Sequence, residues 1–432
     1  MSQQPGGVRN KIVTLNSVQE PMTEAMAEGW DKEGPAPEPF DNRLHRARYY
    51  QIMQRLRQET RDTGPGVMVT VQDREVSILQ SEMARQGAAG KELGAGGQEA
   101  KFGTGFGGGD WFGWIRSLFD HVDRKQAHPM MRPTSAKTER IPDVAKIAMT
   151  ADWGTGLYGA PKIAEQIRKV GGYELLMHLG DVYYSGTEEE VQERFLDIWP
   201  KAAGKRTIAI NSNHEMYSGG FGYFKLALPA IGQKSSYLAF ENKDWLLVVL
   251  DTAYVDHDMD NEQIAWLNLV REQSVDEDNE PKKLVLFSHQ QLFSRLDNQG
   301  PKLQKALQHL LDQKAITAWY WGHEHQCVIY DKHETYGLFG RCLGNGGIPE
   351  VRKSEVRNAP TERTVEGVIW KRLSKTENSP SCLALDGPNP DIKGEEKKFV
   401  PHGYMTLELN GPTLTERVYL SNGKEILSNT IS

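Results

Sequence analysis

The chain has 432 residues, 38% of them hydrophobic and 25% charged, a formal net charge of −7 and three cysteines. That length supports one large folded domain or two ordinary ones and excludes a disulfide-stapled miniprotein. The acidic balance argues against dedicated nucleic-acid binding. No apolar run approaches the roughly 20 residues of a membrane span, and the opening MSQQPGGVRN lacks an apolar signal core. Cys327, Cys342 and Cys382 cannot all pair within one chain, which suits a reducing, cytoplasmic setting. Residues 1–140 carry 19 Lys+Arg against 18 Asp+Glu, leaving 32 against 40 in the remainder, so metal chemistry is expected in the second part.

Residues 1–40 mix Pro, Gly, Glu and Gln around the short apolar patch KIVTLN and read as a disordered leader. Residues 41–86 form a small N-terminal region: NRLHRARYYQIMQRLRQETR has helical spacing with an apolar stripe at Leu44, Tyr49, Ile52, Met53 and Leu56, and the rough alternation of GVMVTVQDREVSIL predicts a hairpin or edge strands. Ten glycines within residues 87–109 predict a flexible linker, and 110–140 a connecting amphipathic helix and loop. No partner for this extension can be read from its residues.

From 141 to 432 short apolar runs alternate with helical stretches. KIAMTAD, YELLMHLGD, RTIAINSN, WLLVVLD, KLVLFSH and AWYWGH predict strands, while APKIAEQIRKVGG and TEEEVQERFLDIWP predict intervening helices. This is βαβ material and implies a layered α/β fold with a buried sheet. The informative fact is what ends the runs: Asp152, Asp181, Asn213 with His214, Asp251, His289, and His323-Glu-His325. Residues just past the carboxyl ends of neighbouring strands converge on one crevice. Their mixture of oxygen and nitrogen donors suits first-row metals such as manganese, iron and zinc.

ADWG (151–154), GDVYY (180–184), NHE (213–215), SH (288–289) and GHEH (322–325), in that order, resemble the calcineurin-like metallophosphoesterases, and the first two motifs are similar to those of the purple acid phosphatase branch. The resemblance extends through LDT (250–252) and GNGGIP (344–349) toward FVPHGYMTLEL (399–409), covering roughly residues 144–420. It implies a sandwich of two mixed sheets flanked by helices, preceded by an N-terminal extension. It also implies two metals per chain, one held by Asp152, Asp181, Tyr184 and His325 and the other by Asp181, Asn213, His289 and His323, with Asp181 shared. Iron paired with iron, zinc or manganese is implied if Tyr184 ligates, and manganese or zinc otherwise; Tyr183 adjoins it, on the opposite face if the segment is extended, and the sequence leaves open which of the two faces the metal. The implied activity is hydrolysis of phosphate esters by in-line attack of a metal-bridging hydroxide, with Asp181 and His214 as catalytic residues and His214 as general acid. Glu215 would orient His214, and Asp251, Asn345 and His402 would support the site or substrate. Ser212 stands where the family has Gly, and Gln290 follows His289 where relatives of the acid-phosphatase type carry a further His or a Pro.

Two rivals come from other classes. GTGLYG, spanning Gly154 to Gly159, reads as a dinucleotide-binding turn between strand and helix, but leaves NHE, SH and GHEH without a purpose. A catalytically inactive binding or scaffold module has the opposite difficulty, since every proposed ligand position holds a residue able to bind metal. Asp256, His257, Asp258 and Asp260 read as a solvated loop in preference to a cation site, and GGFGYF (219–224) as aromatic packing or a lip over the crevice.

Overall fold

The computed structural model describes residues 12–18, 42–63, 66–68, 71–89, 122 and 126–431. Among them two mixed sheets face each other. The larger, of ten strands, takes in β1 (Glu139–Arg140), β5 (Leu238–Glu241), β6 (Trp245–Val249), β7 (Lys283–Phe287), β8 (Ile316–Trp321), β9 (Cys327–Tyr330), β10 (Phe339–Leu343), β11 (Thr361–Val365), β12 (Val368–Leu373) and β13 (Cys382–Asp386). The smaller, of six, takes in β2 (Val144–Thr150), β3 (Tyr173–His178), β4 (Gly204–Ala209), β14 (Gly403–Asn410), β15 (Thr413–Leu420) and β16 (Glu425–Ile431). Each of the six apolar runs singled out in the sequence becomes a strand: β2, β3, β4, β6, β7 and β8.

In the larger sheet β6, β7, β8 and β10 run parallel; in the smaller, β2 and β3 are parallel to β3 and β4, while β2 meets β14 antiparallel. Parallel neighbours need crossovers, and their strands are buried on both faces, which is why β6 is buried at all five positions. β15 instead alternates strictly between partly exposed and buried residues, as a strand with one wet face should. Ile147, Leu175, Leu247, Val285, Leu407 and Val418 meet in the core between the sheets. Within that core the buried Arg341 of β10 donates to Glu416 of β15 (Nε to Oε1, 2.7 Å), and the Tyr320 hydroxyl donates to the same carboxylate at 3.0 Å. The charge of Glu416 is thus fully partnered across the two sheets.

Helices cover the outer faces. The helix Ala160–Val170 buries Ala160, Ile163, Ala164 and Ile167, one stripe at 3.6-residue spacing; Pro161 opens it and the Gly171 amide closes it on the Ile167 carbonyl. Asn261–Gln273 begins at Asp260, whose side chain accepts from the Gln263 amide. Asp260 also pairs with Arg132, so the loop expected at 256–260 is in part a helix cap.

The N-terminal region departs from expectation in two places. Residues 12–18 fall within the stretch read as a leader, yet Ile12, Val13 and Val18 are buried, and Thr14 bridges Met68. Where a hairpin was expected, residues Arg74–Ala89 form a helix. Asp73 caps it by accepting from the Val76 amide at 2.9 Å, and Val76, Leu79 and Met83 turn inward. The expected first helix is present as Asn42–Glu59. These pieces share one apolar cluster with Tyr183, Tyr184 and Ile348 of the main body. The glycine run beyond Ala89 and, Val122 apart, the expected helix at 110–125 lie outside the described residues.

Candidate metal centre

The strand ends of both sheets open into one crevice. Asp152 follows β2, Asp181 follows β3, Asn213 follows β4, His289 follows β7, and His323 and His325 follow β8. Four of them, Asp152 (φ 56°), Asp181 (φ 72°), His323 (φ 70°) and His325 (φ 51°), have left-handed backbones, uncommon for residues with a Cβ and recurrent at functional sites. A Cβ on Gly322 would lie 2.5 Å from Asp152 Oδ2, so the glycine lets the His323 amide reach that carboxylate, donating at 2.9 Å to Oδ2.

Asp152, Asp181 and His325 bring one ligand atom each to within 4.8 Å of one another, and all three are buried. His325 Nε2 lies 3.4 Å from Asp152 Oδ1 and 3.7 Å from Asp181 Oδ2. A second group adjoins the first through Asp181: His289 Nε2 lies 3.1 Å from Asp181 Oδ1 and 3.0 Å from Asn213 Oδ1, and the His323 ring stands edge-on to His289 with centroids 5.2 Å apart. His289 Nδ1 is fixed by the Leu179 carbonyl at 2.8 Å, which leaves Nε2 facing the crevice.

Three buried polar atoms here have no hydrogen-bond partner: Asp181 Oδ2, His323 Nδ1 and His214 Nε2. Buried polar atoms are nearly always satisfied, so a carboxylate oxygen and an imidazole nitrogen left bare in one crevice fit a cation as their partner. Oxygen and imidazole donors in two groups, sharing one carboxylate, fit two.

Without a metal, protons balance this charge. Burial opposes ionising His289 and His325, but the neighbouring carboxylates dominate. Asp181 and Asp152 hold His289 up at about 9, and the carboxylates of Asp181, Glu350 and Asp152 around it hold His325 at about 10. Burial and then repulsion from Asp181 raise Asp152 well above the ordinary carboxylate range, whereas the imidazoles around Asp181 keep it well below, against its burial.

Tyr184, expected as a ligand, is turned away. Its hydroxyl accepts from the Val13 amide at 2.5 Å and its ring lies under Arg194. The phenol aimed into the crevice is Tyr183, whose hydroxyl lies 3.0 Å from His325 Nε2 and whose ring rests on His214 at 3.8 Å between centroids. His214 is buried, with Nδ1 on the Tyr184 carbonyl at 2.6 Å, so its proton sits on Nδ1 and Nε2 is bare. Burial lowers it to about 4 despite the nearby Asp181.

Glu215 does not orient His214. It accepts from the amides of Asp181 and Val182, each at 3.2 Å, and pairs with the Ser212 hydroxyl, while burial and then Asp181 push it up to about 7. Asp251 binds the Asn211 side-chain amide and the Ala253 and Tyr254 amides, tying its own loop rather than facing the crevice. Asn345 ties the 344–349 loop to the Pro401 carbonyl, and His402, between Asp391 and the Ile348 carbonyl, supports the same loop from outside. Tyr223 and Phe224 are buried packing residues. The glycines of GTGLYG are spent on the protein itself, since a Cβ on Gly156 would strike the Arg194 carbonyl and one on Gly159 the His402 ring.

Four residues outside the expected ligand set complete the surroundings, of which Glu350 and Gln72 had no mark in the sequence. Ser212 donates to Asp181 Oδ1 at 2.6 Å, so the side chain in place of the family glycine steadies the shared carboxylate. Glu350 lies 3.4 Å from His325 Nδ1. His257, in the loop after β6, stands edge-on to His323 at 5.2 Å. Gln72, from the N-terminal region, accepts from Asn213 Nδ2 at 2.9 Å.

Residues 145–327 match the calcineurin-like phosphoesterase family. That part of the chain is a calcineurin-like metallophosphoesterase domain, with the two flanked mixed sheets expected of one. Among solved structures, similar ones include GAP50, the anchor in the inner membrane complex of Plasmodium (11% identity, 67% of this chain and 89% of that one, TM-score 0.45), and a dimetal phosphatase from Danio rerio (12%, 67% and 99%, 0.41). PhoD is a third (12%, 69% and 74%, 0.42). No curated protein matches the chain. No helix among the described residues is long and apolar enough to cross a membrane.

Proposed function

We propose that the protein is a dinuclear metal-dependent phosphoesterase, a cytoplasmic one if its three buried, unpaired cysteines reflect a reducing compartment. The observation that carries this reading is Asp181: a fully buried carboxylate between two groups of oxygen and nitrogen donors, with Oδ2 unpartnered. Asp152, Asp181, His325 and the phenol of Tyr183 would hold one cation, and Asp181, Asn213, His289 and His323 the other. When bound, such a pair acidifies water into a nucleophile at neutral pH and offsets the charge of a phosphoryl group.

The chain's own residues supply the rest. The Tyr184 carbonyl holds the His214 ring so that Nε2 faces the crevice. Burial keeps that nitrogen unprotonated until an anionic phosphate enters beside it; the anion favours the imidazolium, formed by uptake of one proton from solvent as substrate binds, and that proton would pass to the departing alkoxide. Glu215 and Ser212 fix the backbone and carboxylate of Asp181, so the shared ligand does not have to reorganise. Iron at the first position would draw on Tyr183, as in the purple acid phosphatase-like branch; manganese or zinc would not need it.

The test is elemental mass spectrometry on protein purified without chelators, with hydrolysis of an aryl phosphate monoester and a diester measured before and after metal removal. About two metals per chain and metal-dependent turnover are expected. If iron is present, Tyr183→Phe removes a visible charge-transfer band that Tyr184→Phe retains. No bound metal, none taken up from manganese, iron or zinc, and no turnover would make the scaffold reading the better one.

A further inference from the structure

The N-terminal region reaches the metal centre. Residues 71–73 cross the mouth of the crevice just before the helix Arg74–Ala89, and Gln72 places its side-chain amide over both donor groups at once. Its Oε1 accepts from Asn213 Nδ2 at 2.9 Å, and its Nε2 lies 3.5 Å from His325 Nε2. Asn213 belongs to one proposed metal position and His325 to the other.

The Gln72 side chain is not what docks the segment. The Tyr217 hydroxyl donates to the Gln72 backbone carbonyl, Arg74 donates to the Tyr217 and Val122 carbonyls, and the flanking Val71 and Val76 are buried. Farther along, Ser81 donates to Glu190 at 2.9 Å. Between these anchors Gln72 is exposed, and its amide can swing away without stranding Asn213, whose Nδ2 also donates to the Tyr217 hydroxyl at 2.9 Å. A neutral amide with two N–H donors, held by a fixed backbone at the solvent side of a site for anions, can exchange a protein partner for a phosphoryl oxygen.

We propose that Gln72 is a substrate-binding residue of this centre: its side-chain amide turns from Asn213 and donates through Nε2 to a non-bridging oxygen of the bound phosphate ester, so that the segment 71–73 of the N-terminal region forms one wall of the active site. The inference rests on the phosphoesterase reading for the identity of its ligand. It assigns the segment just before the helix Arg74–Ala89 a part in substrate recognition that the strand-end motifs do not contain.

The experiment compares full-length wild type with Gln72→Ala and Gln72→Glu, all metal-loaded, by titration calorimetry with inorganic phosphate, by steady-state kinetics on an aryl phosphate and by metal stoichiometry. Gln72→Ala should weaken phosphate binding and raise KM about 10- to 100-fold, the loss of one hydrogen bond to a charged group, with kcat changed less and metal content unchanged. Gln72→Glu, isosteric but anionic, should weaken phosphate binding further. Unchanged phosphate affinity in Gln72→Ala overturns the inference, as do tighter binding, which would make the side chain a plug, and loss of metal, which would make it a support for the ligands. Because phosphate binding is measured apart from turnover, a wild type that binds phosphate more tightly than Gln72→Ala yet hydrolyses nothing upholds the inference while defeating the phosphoesterase reading. Failure of the wild type to bind phosphate overturns the inference.

Discussion

Loading the metal-free protein with manganese or zinc should release protons in a number set by His289 and His325. Carboxylates hold these imidazoles at about 9 and about 10, so at pH 7 more than about 95% of molecules carry a proton on each. An imidazole binds metal only through a bare nitrogen, and Nε2 is the nitrogen that each turns toward the crevice. Filling both positions at pH 7 should therefore expel roughly two protons per chain, about one for each metal. Asp152, raised by burial and by Asp181, can only add to that number. The sign follows from competition: acid favours the protonated rings, so metal affinity falls as pH falls and rises with pH until the rings lose their protons unaided. For the pair the rise is roughly 100-fold per pH unit from about pH 6.5 to 8.5. Calorimetry in buffers of different ionisation enthalpy counts the protons directly. Release of less than about half a proton per chain at pH 7, or an affinity flat across that range, would show that His289 and His325 are not ligands.

Replacing Asp181 by Asn removes the charge common to both donor groups; metal content should fall below one per chain and turnover be nearly abolished, and near-normal values of either would refute the shared-ligand assignment. His214→Ala should lower kcat about 10²- to 10⁴-fold with metal content intact, whereas parallel loss of metal would make His214 a support for the ligands. Behind the Tyr183–Tyr184 backbone, Glu190 is buried, paired with Arg194 at 3.2 Å, and accepts from the Tyr184, Ser185 and Thr187 amides. Arg194→Ala should therefore destabilise the fold by about 3–5 kcal/mol, as expected when a buried carboxylate loses its cation. Urea denaturation reads this, and a change below about 1 kcal/mol would mean that the amides alone satisfy the carboxylate.

The crevice was legible because each strand that contributes to it is a short apolar block broken abruptly by Asp, Asn or His. Adjacent strands then do the gathering, and six of the seven expected ligands meet. Tyr184 was misplaced because neighbouring tyrosines are interchangeable by composition, and only the backbone path after Asp181 decides which hydroxyl meets His325 and which meets Val13. The helix Arg74–Ala89 was hidden by the alternation of VMVTV just before it; its true signals were the Asp73 cap and the spacing of Val76, Leu79 and Met83. Gln72 carried no local signal at all. Its place depends on contacts 141 and 253 residues away in the chain, and neither partner names it.

The left-handed backbones at Asp152, Asp181, His323 and His325 make the centre a liability for the protein that carries it. Each disfavours the fold by about 1 kcal/mol or more relative to glycine at the same position, and Asp152 adds a buried carboxylate crowded by Asp181. A library of variants selected for heat resistance alone, in the absence of metal, should accordingly accumulate glycine or asparagine at these four positions and lose hydrolysis as it gains stability.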